Sequence, residues 1–369
     1  MGKIFYAVSG EGRGHAARAR AAIEDLRDEH EIVLYAPGHA FELLAPVYEN
    51  SAVEVRRLPG LRFHYTASHR LAYLKTAASN LGYVRDLPRL IRRLMRDIEA
   101  AQPDLAITDF EPSLPRAARR CGLPFLSLDH QHFLVTYDLS SLPFDLRCYA
   151  GMMALAVRAC HQGQAHSIVS SFYFPPLRPR VRAVTQIGVL MRPEIRRARP
   201  ETGRHLVAYL RRFQEPGVYR ALAGCGEEVR IYGLGARPAA GRLRFHEVDV
   251  HRFTEDLARC RALVTTAGNQ LVGEALYLGK PVLAMPESGN REQAVNAHFL
   301  RRSGTGLVSS MDAVTAGHVR ALLDGADRLT ARIDRRRLCG NPAALEIIRR
   351  HLAPAARPAR PPIPAWGPT

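Results

Sequence analysis

The sequence of 369 residues lacks several signatures that mark particular protein classes. Its six cysteines include no C-x-x-C pair, which argues against a zinc site or a disulfide framework and suits a reducing cytosol. No D-x-D motif occurs, so a metal-dependent site of that kind is not expected. The most apolar window, residues 149–160, has about half the length of a membrane-spanning helix and contains Arg158. The first apolar run ends at Val8 in a Gly/Glu turn, unlike a signal peptide.

Lysine is also scarce, because the only lysines are Lys3, Lys75 and Lys280. The basic residues are therefore nearly all arginine, and they give a formal net charge of +17. A charge of this size favours anionic partners, such as nucleic acid, acidic lipid or a phosphorylated substrate. Charge alone does not choose among these three.

The order of the apolar segments predicts an α/β protein. Eleven short apolar runs alternate with helical patterns, which is typical of parallel sheets with crossover helices. The runs lie at residues 3–8, 31–36, 53–58, 104–109, 124–129, 167–172, 205–210, 229–234, 243–248, 262–266 and 281–286. A stretch dense in proline and arginine, residues 173–203, follows the sixth run and indicates a domain connection.

We therefore expect two doubly wound Rossmann-like domains that face a central cleft, with ligands at the carboxyl ends of the strands. The predicted boundaries are an N-terminal domain at residues 1–187, a linker at 188–204 and a C-terminal domain at 205–340. A C-terminal helix at 341–353 and a disordered proline-rich tail at 354–369 follow.

The glycine-rich turn after the first strand reads Gly10-Glu11-Gly12-Arg13-Gly14-His15. A dinucleotide-binding turn needs a third glycine where His15 stands, and an acidic residue where the second strand ends in LYAPGH. Both are missing, so binding of NAD or FAD is disfavoured. The alternative is that the glycines let the backbone approach a ligand while His15 points into the cleft.

His15 is a candidate general base. A histidine in the first turn of a helix is favoured in its neutral form by the helix dipole, and a general base must be neutral. Asp109, at the end of the strand in PDLAITDFEP, could orient it and stabilise the imidazolium. A locally hydrogen-bonded His15 and a turn-forming Asp109 remain the alternatives.

A second motif lies at residues 265–306, TTAGNQLVGEALYLGKPVLAMPESGNREQAVNAHFLRRSGTG. A strand ends in TTAG and a helix starts near Asn269, whose free N–H groups suit a pyrophosphate. Glu274, further along this helix, could accept hydrogen bonds from ribose hydroxyls. Glu292 and Asn296 are four residues apart on one helix face, where a carboxylate and an amide suit a sugar ring. Solvated side chains on amphipathic surface helices are the alternative interpretation.

This segment resembles the donor-binding signature of GT-B glycosyltransferases, including UDP-glycosyltransferases, antibiotic glycosyltransferases and the N-acetylglucosaminyltransferase of peptidoglycan synthesis. The N-terminal GEGRGH is similar to their glycine–histidine turn, and TDF is similar to the segment that supplies the aspartate partner in plant-type members. TDFEP, SLDHQH and EALYLGKP together look closest to a group of bacterial and archaeal glycosyltransferase-like proteins. The matching residues of the donor segment are Ala267, Gly268, Glu274, Pro286, Glu292, Gln293, Asn296 and Ala297.

The resemblance implies a metal-independent, inverting transferase that moves a hexose or N-acetylhexosamine from a nucleotide sugar, with UDP as the expected nucleotide. The acceptor would be a hydroxyl of a lipid, cell-envelope or natural-product molecule, and no cofactor is expected beyond the nucleotide sugar. His15 would be the base and Asp109 its partner, beside a loop of Gly10, Gly12 and Gly14. The expected donor-binding residues are Gly268, Asn269, Gln270, Glu274, Glu292, Gln293, Asn296 and Arg211.

One position departs from the plant and antibiotic enzymes. Thr266 stands where they have a histidine at the diphosphate, so backbone N–H groups and arginines would have to hold the phosphates. Asp129, His130 and His132, in SLDHQH, end another strand and are candidates to line the acceptor cleft. Residues 61–74 mix aromatic and basic side chains, as an acceptor-binding loop could.

Residues 87–98 form an amphipathic pattern with Arg89, Arg92, Arg93 and Arg96 opposite an apolar face. This helix could dock on anionic lipid, in which case the protein would be cytoplasmic and in peripheral contact with the membrane. Alternatively, its apolar face packs in the core.

Two other functions stay open: a UDP-sugar 2-epimerase on the same fold, and a basic nucleic-acid-binding protein. No helix-turn-helix, zinc module or RNA-recognition signature supports the latter. A non-catalytic sugar-nucleotide sensor is less compatible with the presence of both His15 and Glu292.

Overall fold

The computed structural model describes residues 1–10, 13–61, 64, 73–160, 162–210 and 216–353, leaving aside the side chains of 73, 74, 77, 159 and 160. The strands within this part of the chain are β1 Gly2–Val8, β2 His30–Pro37, β3 Glu54–Leu58, β4 Leu105–Asp109, β5 Phe125–Asp129, β6 His166–Ser170, β7 Val184–Ile187, β8 Leu206–Tyr209, β9 Val229–Tyr232, β10 Arg237–Ala240, β11 Leu243–His246, β12 Ala262–Thr265, β13 Val282–Ala284 and β14 Gly306–Val308. The helices are α1 Arg13–Glu24, α2 Gly38–Tyr48, α3 Tyr73–Ala101, α4 Ser113–Arg120, α5 Phe133–Thr136, α6 Phe144–Cys160, α7 Pro193–Arg197, α8 Pro216–Ala223, α9 Val250–Arg259, α10 Asn269–Tyr277, α11 Arg291–Ser303, α12 Ala316–Asp324, α13 Ala326–Thr330, α14 Arg335–Leu338 and α15 Asn341–Leu352.

The strands form two seven-stranded sheets. Their orders are β3-β2-β1-β4-β5-β6-β7 and β10-β11-β9-β8-β12-β13-β14. All pairings are parallel except that of β10 with β11. In each sheet the strand order reverses beside the first strand, between β1 and β4 and between β8 and β12. Ligands of open α/β sheets bind outside such switch points.

All eleven predicted strands are present, with ends within two residues of the prediction. Strands β7, β10 and β14 were not predicted. Strand β7 lies inside the proline- and arginine-rich stretch taken for a domain connection, so that stretch also supplies an edge strand. Strand β10 is exposed throughout and β14 has three residues, so neither carries a clear apolar pattern.

The parallel strands are apolar because helices cover both faces of each sheet. Strand β4, LAITD, is buried at every position, as is β5. Helix α3 contributes the core residues Leu90, Ile91, Leu94, Met95 and Ile98, while its arginines 89, 92, 93 and 96 are exposed. The core-facing interpretation of residues 87–98 is therefore confirmed, and their apolar face is not a lipid-docking surface.

Apolar packing continues from one sheet to the other. One core cluster joins Phe133, Tyr137 and Tyr173, which follow strands of the first sheet, to Val272 and Phe299 of α10 and α11. Tyr173 stacks on Phe299 with ring centroids 4.3 Å apart. The two halves of the molecule are thus held in contact along one side of the cleft.

The chain crosses between the halves twice at one place. A Cβ on Gly188 would lie 2.3 Å from the carbonyl carbon of Leu338, and one on Gly340 would lie 2.1 Å from the Gly188 oxygen. Only glycine permits this approach, and the Gly340 N–H donates to the Val189 carbonyl at 3.0 Å. After the crossing, α15 packs Ala344, Ile347 and Ile348 into the core of the first sheet.

Within the described residues, no helix combines the length and the apolar character needed to cross a bilayer.

Candidate active site

The glycine-rich turn and Asp109 lie on either side of the first switch point. The turn follows β1, Asp109 ends the adjacent β4, and the Ser9 N–H donates to the Asp109 carbonyl at 2.9 Å. Gly10 passes so close to the end of β2 that a Cβ would lie 3.0 Å from Pro37 Cγ. This close packing brings α1 onto the edge of the sheet beside Asp109.

His15 and Asp109 are in direct contact, as a base and its partner should be. His15 Nδ1 lies 2.8 Å from Asp109 Oδ1. Asp109 is completely buried, whereas the His15 side chain keeps 13% of its surface exposed. Among the described residues Nε2 of His15 makes no hydrogen bond. The ring is therefore fixed through one nitrogen, and its other nitrogen has no protein partner there.

A third residue, which was not among the predicted site residues, completes this group. Arg18, one turn after His15 on α1, donates from Nε to Asp109 Oδ2 at 2.8 Å and from Nη2 to Oδ1 at 2.6 Å. Its Nη2 also lies 3.0 Å from His15 Nδ1. Burial opposes the charge of Arg18, but Asp109 more than offsets this and raises the Arg18 pKa. Asp109 is thus a neutralised carboxylate rather than an isolated buried charge.

The second turn faces the first across the cleft. Helix α10 begins after Gly268, which has ordinary extended backbone angles, and a Cβ there would meet nothing within 4 Å. A Cβ on Gly14 would lie 3.9 Å from Cβ of Gln270 in the first turn of α10. The first N–H groups of α10 and the His15 turn therefore border the same part of the cleft.

The side chains of Asn269 and Gln270 reach the N-terminal half. Asn269 Nδ2 donates to the Ser170 carbonyl at 3.1 Å, and its Oδ1 accepts from the Phe172 N–H at 3.3 Å. Gln270 Nε2 donates to the Leu190 carbonyl at 2.8 Å, while its buried Oε1 has no hydrogen-bond partner among the described residues. Both residues lie at the predicted donor turn, and both join the two halves.

Glu274 is paired with an arginine that the sequence did not single out. Arg192 donates from Nε to Oε1 at 2.9 Å and from Nη2 to Oε2 at 2.8 Å, and Gln270 Nε2 adds a bond of 2.9 Å. Burial opposes the charge of Arg192, but Glu274 outweighs it and raises the Arg192 pKa. Both oxygens that were expected to face ribose hydroxyls are therefore engaged by protein groups.

Asn296 is fully buried at the contact between the halves. Its Nδ2 donates to the Ala267 carbonyl at 2.9 Å, and its Oδ1 accepts from the Tyr173 hydroxyl at 3.0 Å and lies 3.1 Å from His130 Nε2. Burial lowers the pKa of His130. This geometry gives Asn296 bonds between the two halves and buries His130 at the same contact, while the sugar-binding role of Asn296 and the acceptor-cleft role of His130 stay predictions.

Glu292 and Gln293 sit at the start of α11. Glu292 is partly exposed and makes no ion pair or hydrogen bond with other described residues, although its charge acts on His130 and Tyr173. Gln293 Oε1 accepts from the Glu287 N–H at 2.7 Å. Of the predicted pair for the sugar hydroxyls, Glu292 keeps its carboxylate available.

Asp129 and His132 form a second pair, below the surface. His132 Nδ1 lies 2.7 Å from Asp129 Oδ2, and its N–H donates to Oδ1 at 2.8 Å. The side chains of Asp129 and His132 are 0% and 1% exposed, so both are buried, and their place in the acceptor cleft stays a prediction. As a base this pair is less accessible than His15.

Two predicted site residues, Gly12 and Arg211, lie outside the described residues, as do most of residues 61–74 and the tail at 354–369. A signal for Arg18 did exist in the sequence, because a residue three positions after His15 lies on the same helix face. No comparable sequence pattern indicated Arg192, which lies in the predicted linker.

Among the described residues no group of three or more His, Cys, Asp or Glu side chains could hold a metal ion.

Comparisons with known proteins agree with this architecture. Residues 2–325 match the family described as Glycosyl transferase family 1. An uncharacterized glycosyltransferase of Methanosarcina acetivorans is 26% identical over 332 residues, 82% of either chain. The kitacinnamycin glycotransferase has a TM-score of 0.68 at 16% identity and covers 95% of this chain and 99% of its own. The calicheamicin glycosyltransferase CalG4 has a TM-score of 0.66 at 19% identity, covering 96% and 99%. The fold is therefore the two-domain GT-B fold.

Proposed function

The chain belongs to glycosyl transferase family 1 and is a transferase enzyme, and we propose that it moves a sugar from a nucleotide diphosphate, with UDP as the expected nucleotide, to an acceptor hydroxyl with inversion. The observation that carries the proposal is the contact of His15 with Asp109 opposite the first turn of α10. Family membership favours transfer over the epimerase and nucleic-acid-binding functions that the sequence left open.

In the proposed reaction the acceptor oxygen attacks the anomeric carbon as its proton passes to Nε2 of His15. The bond from the anomeric carbon to the diphosphate oxygen breaks, and the diphosphate leaves with the electron pair. Direct displacement from the face opposite the leaving group inverts the anomeric configuration. Asp109 holds the ring through Nδ1 and stabilises the imidazolium as it forms.

The leaving diphosphate would bind at the start of α10. The first N–H groups of a helix are unpaired and lie at its positive end, and the space beside Gly268 is open. Backbone groups can then stabilise the developing charge without a metal ion, in keeping with the absence of a D-x-D motif. Glu292 is the best-placed residue for the sugar hydroxyls.

Glu274 is proposed to hold the ribose only after a local change. Because Arg192 occupies both of its oxygens, the guanidinium must shift to let ribose hydroxyls approach. Nucleotide binding would thereby be coupled to the segment that joins the two halves.

The test is thermal unfolding of the protein with UDP, GDP, dTDP and several UDP-sugars, alongside Gly268→Val. The extended backbone angles of Gly268 are compatible with valine, and the added side chain would occupy the open space where the diphosphate is proposed to bind. A saturating nucleotide should raise the unfolding temperature by several degrees, and the variant should lose that response while remaining folded. Gly151→Ala, in another open position on α6, is the matched control and should keep the response. An unchanged response in Gly268→Val would move the donor site elsewhere.

A lipid-borne acceptor is favoured by the exposed face of α6. Phe144, Met152 and Leu155 are 73%, 51% and 66% exposed and share one side of this helix with exposed Cys148. The exposed Arg147 and Arg158 flank them, and Asp145 is paired with Arg291 of α11. We propose that this apolar stripe with a cationic border docks on an anionic bilayer.

This surface is tested by co-sedimentation with phosphatidylglycerol and phosphatidylcholine vesicles. Binding is expected to the anionic vesicles, to weaken with salt, and to be lost in Phe144→Ser/Met152→Ser/Leu155→Ser. Leu81→Ser/Val84→Ser, on the exposed part of α3, is the comparison. Loss of binding in that variant instead, or a concentration-dependent dimer that the α6 changes abolish, would overturn the assignment.

A further inference from the structure

Arg18 is buried in a position that no general-base mechanism requires. Its side chain is 3% exposed, and it makes two parallel bonds to a carboxylate that also contacts His15. The charged and titratable groups around it are His15 on its own helix, Asp109 on β4, Asp129 and His130 at the end of β5, and Tyr6 on β1. Arg18 is the permanent cation of this set, since a guanidinium does not lose its proton in proteins.

The contacts define where the imidazole proton lies. Two groups face His15 Nδ1: Asp109 Oδ1 at 2.8 Å, which calls for a hydrogen on Nδ1, and Arg18 Nη2 at 3.0 Å, which calls for a lone pair there. Nη2 of Arg18 already donates to Asp109 Oδ1 at 2.6 Å, so the shorter contact of the ring with the carboxylate decides, and it places the hydrogen on Nδ1. The neutral ring then carries its lone pair on Nε2, the nitrogen without a described partner.

Arg18 also alters the charge that His15 meets. A buried carboxylate alone would favour the protonated imidazolium, which cannot accept a proton from a substrate. Arg18 donates to both oxygens of Asp109, so the carboxylate has a counter-ion other than His15. The geometry therefore points to Arg18 as a positioning residue that fixes the Nδ1–H tautomer of His15 and keeps its Nε2 free at neutral pH. This inference rests on the proposed function for its catalytic meaning, and on the contacts alone for the tautomer.

The experiment compares Arg18→Met, Arg18→Lys and Arg20→Met by ¹⁵N NMR of histidine-labelled protein and by the pH dependence of sugar transfer. The His15 signals are assigned through their loss in His15→Asn. Arg20 is the matched control, because it lies on the same helix and pairs with Glu194 instead of Asp109. The wild type and Arg20→Met should show His15 protonated on Nδ1 across neutral pH.

Arg18→Met leaves the Asp109 charge unopposed, so the imidazolium becomes more favourable. The His15 titration and the acidic limb of the rate profile should move upward by about one pH unit or more. Arg18→Lys retains the charge without the two-point contact; its acidic limb should stay near that of the wild type, with a mixed tautomer and a lower rate. It also serves as the test if Arg18→Met does not fold.

The inference is overturned if His15 carries its proton on Nε2 in the wild type, or if Arg18→Met changes neither the tautomer nor the titration. A wild-type protein that transfers no sugar would refute the proposed function but leave the NMR result decisive for Arg18. A shift of equal size in Arg20→Met would show a general effect of arginine loss and would also overturn the assignment.

Discussion

The turn after β1 and the turn after β12 occupy equivalent places in the two halves, yet they use their polar side chains differently. At the first, Arg18 and Asp109 pair with each other, and Nε2 of His15 has no hydrogen-bond partner in the described part of the chain. At the second, Asn269 and Gln270 bind backbone groups of the other half, and Glu274 binds Arg192. The first turn suits the proposed proton transfer, whereas the second joins the halves, and its backbone N–H groups are proposed to bind the diphosphate.

The largest expected effect separates activity from stability at the first turn. His15→Ala should lower the rate of sugar transfer by about a thousandfold, because the general base is lost. Its unfolding free energy should change by less than about 1 kcal/mol, since the ring lies at the cleft surface. Initial rates and urea unfolding measure the two quantities. A variant that retains more than a tenth of the activity would remove His15 from the mechanism.

At the second turn the effect should fall on stability. Glu274→Gln should lower the unfolding free energy by about 3 kcal/mol, because Arg192 is left buried without its counter-ion. Adding Arg192→Met should restore part of this loss in a double-mutant cycle. The exposed pair of Glu255 and Arg259 on α9 is the control, and breaking it should cost less than about 0.5 kcal/mol. Equal effects at the two pairs would contradict the comparison.

Asn296→Ala should have a smaller cost of about 2 kcal/mol. It leaves the Ala267 carbonyl and the Tyr173 hydroxyl unpaired in a buried interface. The rate of transfer at saturating donor should fall much less than in His15→Ala. If instead donor affinity is lost while stability is unchanged, the original prediction that Asn296 contacts the sugar would stand.

The smallest effect is a pH dependence at the same contact. Burial lowers the pKa of His130, so below about pH 6.5 the unfolded chain takes up a proton that the folded protein resists. Stability from this group is therefore present at neutral pH and decreases on acidification. His130→Gln should make the loss of unfolding free energy between pH 7.5 and 5.5 shallower. An unchanged slope would show that other buried histidines account for it.

Local sequence patterns were sufficient to predict much of this architecture. Eleven strands followed from apolar runs, and His15 and Asp109 could be paired because both end or follow strands that a doubly wound sheet places side by side. The same reasoning did not find Arg18, since one arginine among many on a helix is usually solvated. Strand β10 was missed because an exposed edge strand needs no apolar residues.

The roles of Asn269, Glu274 and Asn296 depend on how the two halves meet, which no local pattern encodes. Helix spacing correctly places Glu292 and Asn296 within one turn, but the partners of Asn296 and Glu274 are distant in the sequence. His130 is 166 positions from Asn296, and Arg192 is 82 from Glu274. Such bonds can be identified only from a structure in which the two domains are in contact.

The contact between Gly188 and Gly340 has a consequence for how the chain divides into structural units. Because Gly188 and Gly340 touch, the segment between them leaves and re-enters at one point, as an inserted domain does. The N-terminal unit is therefore discontinuous in sequence, because α15, which follows the C-terminal unit, completes its core. A fragment that stops before Asn341 would lack part of its own core, whereas residues 189–339 begin and end side by side.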